Sequence, residues 1–548
     1  MHVNFMKGVD YLNILVLLVP LLYFAHSGSG LGYTSSGKAE LYKNNSVNQE
    51  DSLLDDIQVL PGFQVQKIYE VPREEQGSWV ALNVGPNGHL IASDQEQKGL
   101  FRIKVNGRMD DPEVKVEKFV MPISGAQGLK WANDYFYVNV NGKGLFRMKD
   151  TQKNGQLNVL EYLGGPAFEG EHGNHAVIKA QNSSDLYIVN GNHTPPPEFT
   201  SSSIKNWKED LLLPRNWDAR GHARGITAPG GYIARINPDA TEWHMVSIGY
   251  RNTYDIALNQ HGDLFAYDSD MEWDMGMPWY RPTKLAHAVS GSDFGWRSGS
   301  GKWKTYYEDS LPPMLNVGPG SPTGLLFGTD AKFPAKYQRA LFGLDWTFGT
   351  IYAFHLTPKG ASYTAESEEF LSGSPLPLTD AVIGEDGHFY FLTGGRDKES
   401  TLYRVVYTGN KSTAKAAPVK LNSETKKAHE LRKKLEAFHG HEDPKAIETA
   451  WPHLNSSDRF IRHAARVAVE WQPVDEWAEK AMNEVKPQAR ITALVALARA
   501  ESEEYRDGAT ESLLGLNMNA LTPMQKLGYL RAASLIFMRL GDPDDDQR

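Results

Sequence analysis

The chain has 548 residues, long enough for several domains or for one large repeat domain with an appendage. Its 57 Lys and Arg against 67 Asp and Glu leave a net charge of −10, which argues against a nucleic-acid partner, and 41% apolar content excludes wholesale disorder. Cysteine is absent, which excludes disulfides, thiolate zinc sites, iron–sulfur clusters, cysteine nucleophiles and covalent c-type haem from this chain.

Residues 1–30 predict a secretory signal peptide: Lys7 supplies the positive end, Tyr11 to Ala25 the apolar run, and Ser27 to Gly30 the small residues suited to cleavage. Retention of the run as an anchor is the alternative. Export without disulfides implies a bacterial periplasm or cell envelope. Residues 31–55 are polar, lack a period and read as a linker.

From 56 to 408 one unit recurs: an apolar strand, a tight turn, then a strand rich in aromatic and β-branched residues. It appears at 79–94, 128–140, 175–191, 254–270, 324–346 and 379–395. Asn87-Gly88, His261-Gly262 and Asp386-Gly387 stand where hairpins need positive φ. Third strands follow at 99–105, 144–150, 349–356 and 401–407. Six irregularly spaced copies predict an all-β six-bladed β-propeller with loop insertions, although the spacing also accommodates a seventh blade. The insertions, about 193–231 and 271–322, are where function is expected.

Residues 409–427 read as a second linker, and 428–548 as a smaller α-helical, HEAT-like solenoid segment. Helical patterns lie at 428–438, 444–454, 458–471, 474–482, 489–500 and 527–540, with Ser456, Ser457 and Asp458 as N-cap candidates. The absence of a polar capping repeat after 540 is the basis for expecting a longer natural chain.

Four constellations could carry chemistry. His172, His175 and His193 stand near strand ends, suited to general-base or metal-ligand roles, or else to loop histidines satisfied by backbone groups. Arg215, Asp218, Arg220, His222 and Arg224 form a cationic cluster suited to a carboxylate or phosphate, or to ion pairs with acidic loops, and Arg251-Asn252 follow at a funnel position. Asp268, Asp270, Glu272 and Asp274 offer oxygen ligands for Ca²⁺ or Mg²⁺, or partners for those arginines. Trp273, Trp279, Tyr280, Trp296, Trp303 and Trp346 could stack on a sugar or planar cofactor, with core packing the default for any one of them.

The segments GYRNTYDIALNQHGDLFAYDSD (249–270) and SGSDFGWRSG (290–299) resemble the soluble quinoprotein glucose/sorbosone dehydrogenases. More closely, 56–407 is similar to a bacterial group of membrane-bound dehydrogenase propellers, on LLLPRNWDARGHARG, DMEWDMGMPWYRP and LPLTDAVIGEDG. The resemblance implies a six-bladed periplasmic propeller that holds pyrroloquinoline quinone beside Ca²⁺. It also implies a HEAT-like tail and a c-type cytochrome, as a downstream domain or separate acceptor. Carried over by position, the base falls at His172 or His175, with Arg251 as a further catalytic residue. Cofactor binding falls on Asn252, with Arg220, His222 and Arg224 as substitute cations, and Trp346, as a ring suited to stacking, is the further candidate for holding a planar cofactor. The calcium loop falls at Asp268, Asp270, Glu272 and Asp274. Two positions depart from the quinone enzymes: Thr347 or Phe348 stands in place of a lysine, and Thr379 in place of arginine.

The expected function is therefore an exported glucose/sorbosone-dehydrogenase-like propeller that oxidises a sugar or alcohol and passes electrons to a quinone and haem partner. The alternative is a non-catalytic propeller that binds a glycan or a protein, with the helical repeats as the interaction arm. A metal-dependent lactonase-type hydrolase is the third class.

Overall fold

The computed structural model describes residues 33–34, 41–43, 56–218, 221–271 and 279–542. The expected signal peptide lies outside them.

Six sheets, antiparallel but for two short parallel pairings at the edge of the third, follow one another around a central channel. The first blade runs Trp79–Val84, Leu90–Asp94, Leu100–Arg108, Asp111–Lys118, and the second Ala126–Ala132, Tyr135–Val140, Gly144–Lys149, Val159–Gly164. The third runs Asn174–Lys179, Leu186–Asn190, Gly231–Ile236, Trp243–Tyr250, and the fourth Ile256–Leu258, Leu264–Asp268, Thr283–His287, Leu315–Gly318. The fifth runs Pro322–Phe327, Leu341–Asp345, Thr350–Lys359, Ser362–Ser372. The sixth takes three strands from Leu378–Ile383, Phe389–Thr393 and Thr401–Tyr407, and its outer strand from Phe63–Glu70, paired from Phe63 on Tyr407 to Glu70 on Thr401. The six recurring hairpins are thus the inner halves of six blades. The N-terminal strand that closes the ring has no hairpin partner beside it in sequence, and the repeat did not reveal it. Within the segment read as a linker, Tyr33–Thr34 and Leu41–Lys43 extend the outer edges of blades two and one.

Each junction in the ring carries a hydrogen bond near the axis. Ala126 N donates to Ser93 Oγ (3.1 Å), Asn139 Nδ2 to His175 O (2.7 Å), and Ala176 N to Tyr254 O (3.2 Å). Leu325 N donates to Asp255 Oδ2 (2.8 Å), Thr323 Oγ1 to Leu378 O (2.9 Å), and Leu82 N to Asp380 Oδ2 (2.6 Å), which returns the ring to blade one. Between these staples the blades bury their side chains face to face. Trp79 stacks between Tyr69 and Phe101 with centroids 5.8 and 5.6 Å away. Both faces of a blade are covered, so strands such as FYFLT (389–393) are buried along their whole length rather than on alternate residues. The hairpin glycines behave as read: Gly262 and Gly387 have φ of 74° and 77°, each closing a turn onto the carbonyl three residues earlier.

The helical segment follows the sixth blade. Its first helix, Ser423–Glu436, begins inside the stretch read as a linker, capped by Asn422 Oδ1 accepting from Thr425 N (2.8 Å). Asp458 caps Arg459–Glu470, accepting from Phe460 N (2.9 Å) and Ile461 N (3.1 Å), and its other oxygen accepts from Ala361 N (2.8 Å) in the fifth blade's outer hairpin. Helices Pro487–Ala500, Arg506–Leu514 and Pro523–Arg539 complete a shared apolar core that includes Leu435, Trp477, Leu494, Leu497 and Leu535.

These helices lie against the propeller. Arg432 Nη2 meets Asp263 at 2.7 Å, at the end of the fourth blade's inner hairpin opposite Asn252. Arg462 pairs with Glu308 (3.1 Å), Arg539 with Asp210 (2.7 Å), and Trp471 Nε1 donates to Ser203 O (3.1 Å). The insertions at 203–210 and 290–310 form most of this seat. None of the helices among the described residues is long and apolar enough to cross a membrane.

Candidate functional site

Loops that follow the second strand of a blade, and segments that enter the next inner strand, meet at one end of the channel. They form a funnel of about 720 Å³. Blade one contributes Gln95, Glu96 and Gln97, blade two Asn141 and Lys143, blade five Trp346 and blade six Arg396. Gln127, Glu169, Glu171, Asn252 and Thr379 add to the polar lining. Trp346 is fixed by its Nε1, which donates to Gly394 O (2.8 Å), and Arg396 lies over its ring at 4.9 Å. Arg396 also pairs with Glu171. Sequence reasoning singled out Trp346 and missed Arg396. The signal was positional, because Arg396 follows the second strand of its blade as Gln95 and Asn141 follow theirs.

Behind the wall, Asp268 organises the turn that carries Asn252. Its carboxylate accepts from Arg251 N (3.1 Å), Asn252 N (2.9 Å) and Thr253 Oγ1 (3.1 Å), and Lys284 Nζ lies 3.0 Å away. Asp268 is fully buried, and these contacts occupy its oxygens. It acts as a clasp for the turn. Asp270 accepts from Tyr280 Oη (3.2 Å) and Gly320 N (3.2 Å). Glu272 and Asp274, the other half of the expected calcium loop, lie outside the described residues, as does Arg220.

His175 is also behind the wall. Its Nε2 is 2.7 Å from Asn252 Oδ1 and its Nδ1 2.7 Å from Gln127 Oε1, so the ring orients two amides that line the funnel. Burial pulls its pKa down to about 4, partly opposed by the Asn252 contact. A neutral ring donates through one nitrogen only, so one of the two amides presents its NH₂ to the ring. With both nitrogens engaged, His175 positions the wall.

His172 is buried and meets two other imidazoles rather than the funnel. Its Nδ1 lies 2.5 Å from Asn192 Oδ1, and its Nε2 lies 3.4 Å from His222 Nε2. Ring centroids are 4.6 Å apart for His172 and His193, 4.8 Å for His172 and His222, and 5.0 Å for His193 and His222. Burial, then the charges of Arg251 and His193, hold His172 well below the usual imidazole range. Burial, with His222 and Arg251, brings His193 to about 4. Arg251 itself is buried, 7% exposed.

The cationic cluster read from 215–224 is dispersed. Arg215 pairs with Glu209 and lies 4.7 Å over Trp217, while Asp218 accepts from Gly299 N (2.8 Å). Arg224 is exposed and does not line the funnel, and His222 turns to His172. Trp296 and Trp303 are buried in the insertion, with Arg297 4.0 Å over Trp303, so packing claims both.

Further down the axis, Lys130, Asp255 and Asp380 line a second cavity of about 630 Å³. Burial pushes Asp255 up to about 7, and burial with the Asp255 charge raises Asp380 as well.

No protein-family model matches the sequence, and no curated protein matches it. Among solved structures, the fold is similar to the PQQ-bound aldose sugar dehydrogenase of Streptomyces coelicolor, with 17% identity over 64% of this chain and 100% of that one, at a TM-score of 0.42. It is similar to the soluble aldose sugar dehydrogenase of Escherichia coli in its apo form, with 12% identity over 63% and 99%, at 0.43. It is also similar to the PQQ domain of pyranose dehydrogenase from Coprinopsis cinerea, with 10% identity over 64% and 96%, at 0.44.

Proposed function

We propose that the protein is a sugar dehydrogenase-like propeller whose funnel takes a sugar or related polyol. The observation that carries this reading is the funnel wall: amides of Gln95, Gln97, Gln127, Asn141 and Asn252, carboxylates, and the Trp346 ring held flat by Arg396. Amides and carboxylates match the mixed donor and acceptor pattern of hydroxyl groups, and an indole face covers the apolar face of a sugar ring. Titration of the purified chain with a panel of neutral mono- and oligosaccharides tests it. Saturable binding that weakens in Trp346→Ala supports the reading, and no binding across the panel overturns it.

The wall does not fit a clamped pyrroloquinoline quinone. That cofactor carries several carboxylates, whereas Glu96, Glu169 and Glu171 outnumber Lys143 and Arg396, and Arg396 is already paired with Glu171. Thr379 lines the funnel where the resemblance expects arginine, and its hydroxyl donates to Trp79 O (3.2 Å). Oxidation of the bound sugar is therefore the second reading, favoured by Asn252, which lines the wall at a position the resemblance assigns to the cofactor, beside the stacking candidate Trp346. Dye reduction by the chain supplied with pyrroloquinoline quinone, Ca²⁺ and a sugar would establish it; a c-type cytochrome acceptor and export belong to the same reading.

A further inference from the structure

Three histidines from three separate segments converge beside the funnel. His172 precedes the inner strand of blade three, His193 follows its second strand, and His222 comes from the long insertion before its third. One ligating nitrogen from each lies within 4.8 Å of the others, and no other group of three His, Cys, Asp or Glu side chains among the described residues is placed to hold an ion. The 3.4 Å between His172 Nε2 and His222 Nε2 matches the edge of a tetrahedron. For ligands about 2.0–2.1 Å from a central ion, that edge is about 3.3–3.4 Å.

The surroundings set the donor atoms. Asn192 Oδ1, 2.5 Å from His172 Nδ1, accepts the ring proton, which leaves the lone pair on Nε2 and aims it into the cluster. Asn192 is itself buried, so this outer contact is built into the fold. His193 Nε2 is shielded from solvent and has no hydrogen-bond partner. A buried nitrogen without a partner is costly, and an ion at the centre of the three rings would satisfy it. The donors are all imidazoles, with no carboxylate in the group, which disfavours Ca²⁺ and Mg²⁺ and suits ions of the Zn²⁺ and Cu²⁺ class.

We infer that His172, His193 and His222 form a binding site for one divalent transition-metal ion, with three protein ligands and a fourth position for an exogenous oxygen ligand. The inference goes beyond sugar binding and does not depend on it. The neighbouring Arg251 opposes a dication in isolation but favours an anionic fourth ligand, such as hydroxide or a carboxylate. Metal binding takes up the Nε2 lone pair that a base role for His172 would use, so the two roles exclude each other.

The test uses the full chain, stripped with a chelator and titrated with Zn²⁺, and with Co²⁺ as a spectroscopic probe. The expected result is one ion per chain by elemental analysis and a d–d absorption band of four- or five-coordinate Co²⁺. His193→Ala and His222→Gln should each lower affinity at least about 10-fold, and Asn192→Ala about 10- to 100-fold, through the orientation of His172. His222→Gln changes a half-buried loop residue, and an unchanged thermal melt without metal shows that the fold persists. Substoichiometric metal in the wild type, or Zn²⁺ affinity unchanged in the folded His222→Gln variant, would overturn the inference.

Discussion

Arg531 grips Asp309 with two parallel hydrogen bonds, Nε to Oδ1 at 2.8 Å and Nη2 to Oδ2 at 2.7 Å, and so ties the last helix to a loop of the fourth blade. Arg499 adds a third contact at 3.3 Å. Asp309 is 1% exposed, and the arginines hold its carboxyl well below the ordinary range although burial opposes them. Asp309→Ala leaves two buried guanidinium groups short of a counter-charge. The expected loss is about 3–5 kcal/mol, the cost of breaking a buried pair from one side, read by denaturant unfolding. Asp309→Ala combined with Arg531→Met should recover part of it. A single variant as stable as the wild type would contradict the assigned role.

Asp268 offers a prediction that links packing to ligand binding. Asp268→Asn keeps the size but leaves Lys284 without its buried counter-ion and replaces one acceptor oxygen with a donor beside the Arg251 and Asn252 amides. Sugar affinity should fall about 10-fold as Asn252 leaves the wall, with a lower unfolding midpoint. Unchanged affinity in the folded variant would show that the turn does not position the funnel.

Arg396→Ala removes the cation over Trp346 and frees Glu171. The indole loses its brace, and a sugar that stacks on it should bind about 10-fold more weakly, equivalent to about 1.4 kcal/mol. Both residues line the funnel mouth, so stability should change little. Calorimetric titration of the two proteins side by side distinguishes these effects.

Acid should loosen the helical segment before the inner strand of blade six. His439 sits in its seat, with Nδ1 2.9 Å from Ser290 Oγ and Nε2 2.9 Å from Ala464 O, facing Arg466, His244 and His441. Burial brings its pKa to about 3, and His463, beside Arg466, His439 and Arg459, is also held well below the ordinary value. Both must stay neutral in the folded state while the unfolded chain takes up protons near pH 6.5. Their contribution is therefore intact above that pH and is lost as pH falls, at about 1.4 kcal/mol per unit for each ring. Asp309, depressed when folded, adds a further loss below about pH 4. Asp255 and Asp380, raised when folded, have the opposite sign and favour the ring at lower pH. Amide exchange in 459–470 should accelerate between pH 7 and 5 before exchange in the inner strand Leu378–Ile383, which carries Asp380 and no histidine, does. Simultaneous loss of protection in both would contradict this order.

Much of the ring was legible because each inner hairpin is local: strand, turn and strand are adjacent in sequence, and the turn residues announce themselves. Phe63–Glu70 was not legible, since its partner Thr401–Tyr407 lies across the whole ring. At the site, Asn252 and Trp346 could be picked out as funnel positions. The cationic run at 215–224 left an anion site and an ion-pair network both open, because one-dimensional clustering does not reveal that Glu209, Trp217 and Gly299 claim Arg215 and Asp218. The three-histidine cluster needed the fold: His222 stands 50 positions from His172 and arrives through an insertion that carries no repeat.

The seam in the sixth blade constrains how the molecule forms. Arg404 Nε donates to Gln66 Oε1 across 338 residues, one of the longest separations in the chain. During synthesis the Phe63–Glu70 strand emerges early and must wait, with an unpaired edge, until Thr401–Tyr407 has left the ribosome. Loop closure on that scale is slow and exposes five nearly complete blades in the interval. The helical segment follows the ring in sequence and is seated on blades three, four and five, so it docks only where those blades have formed.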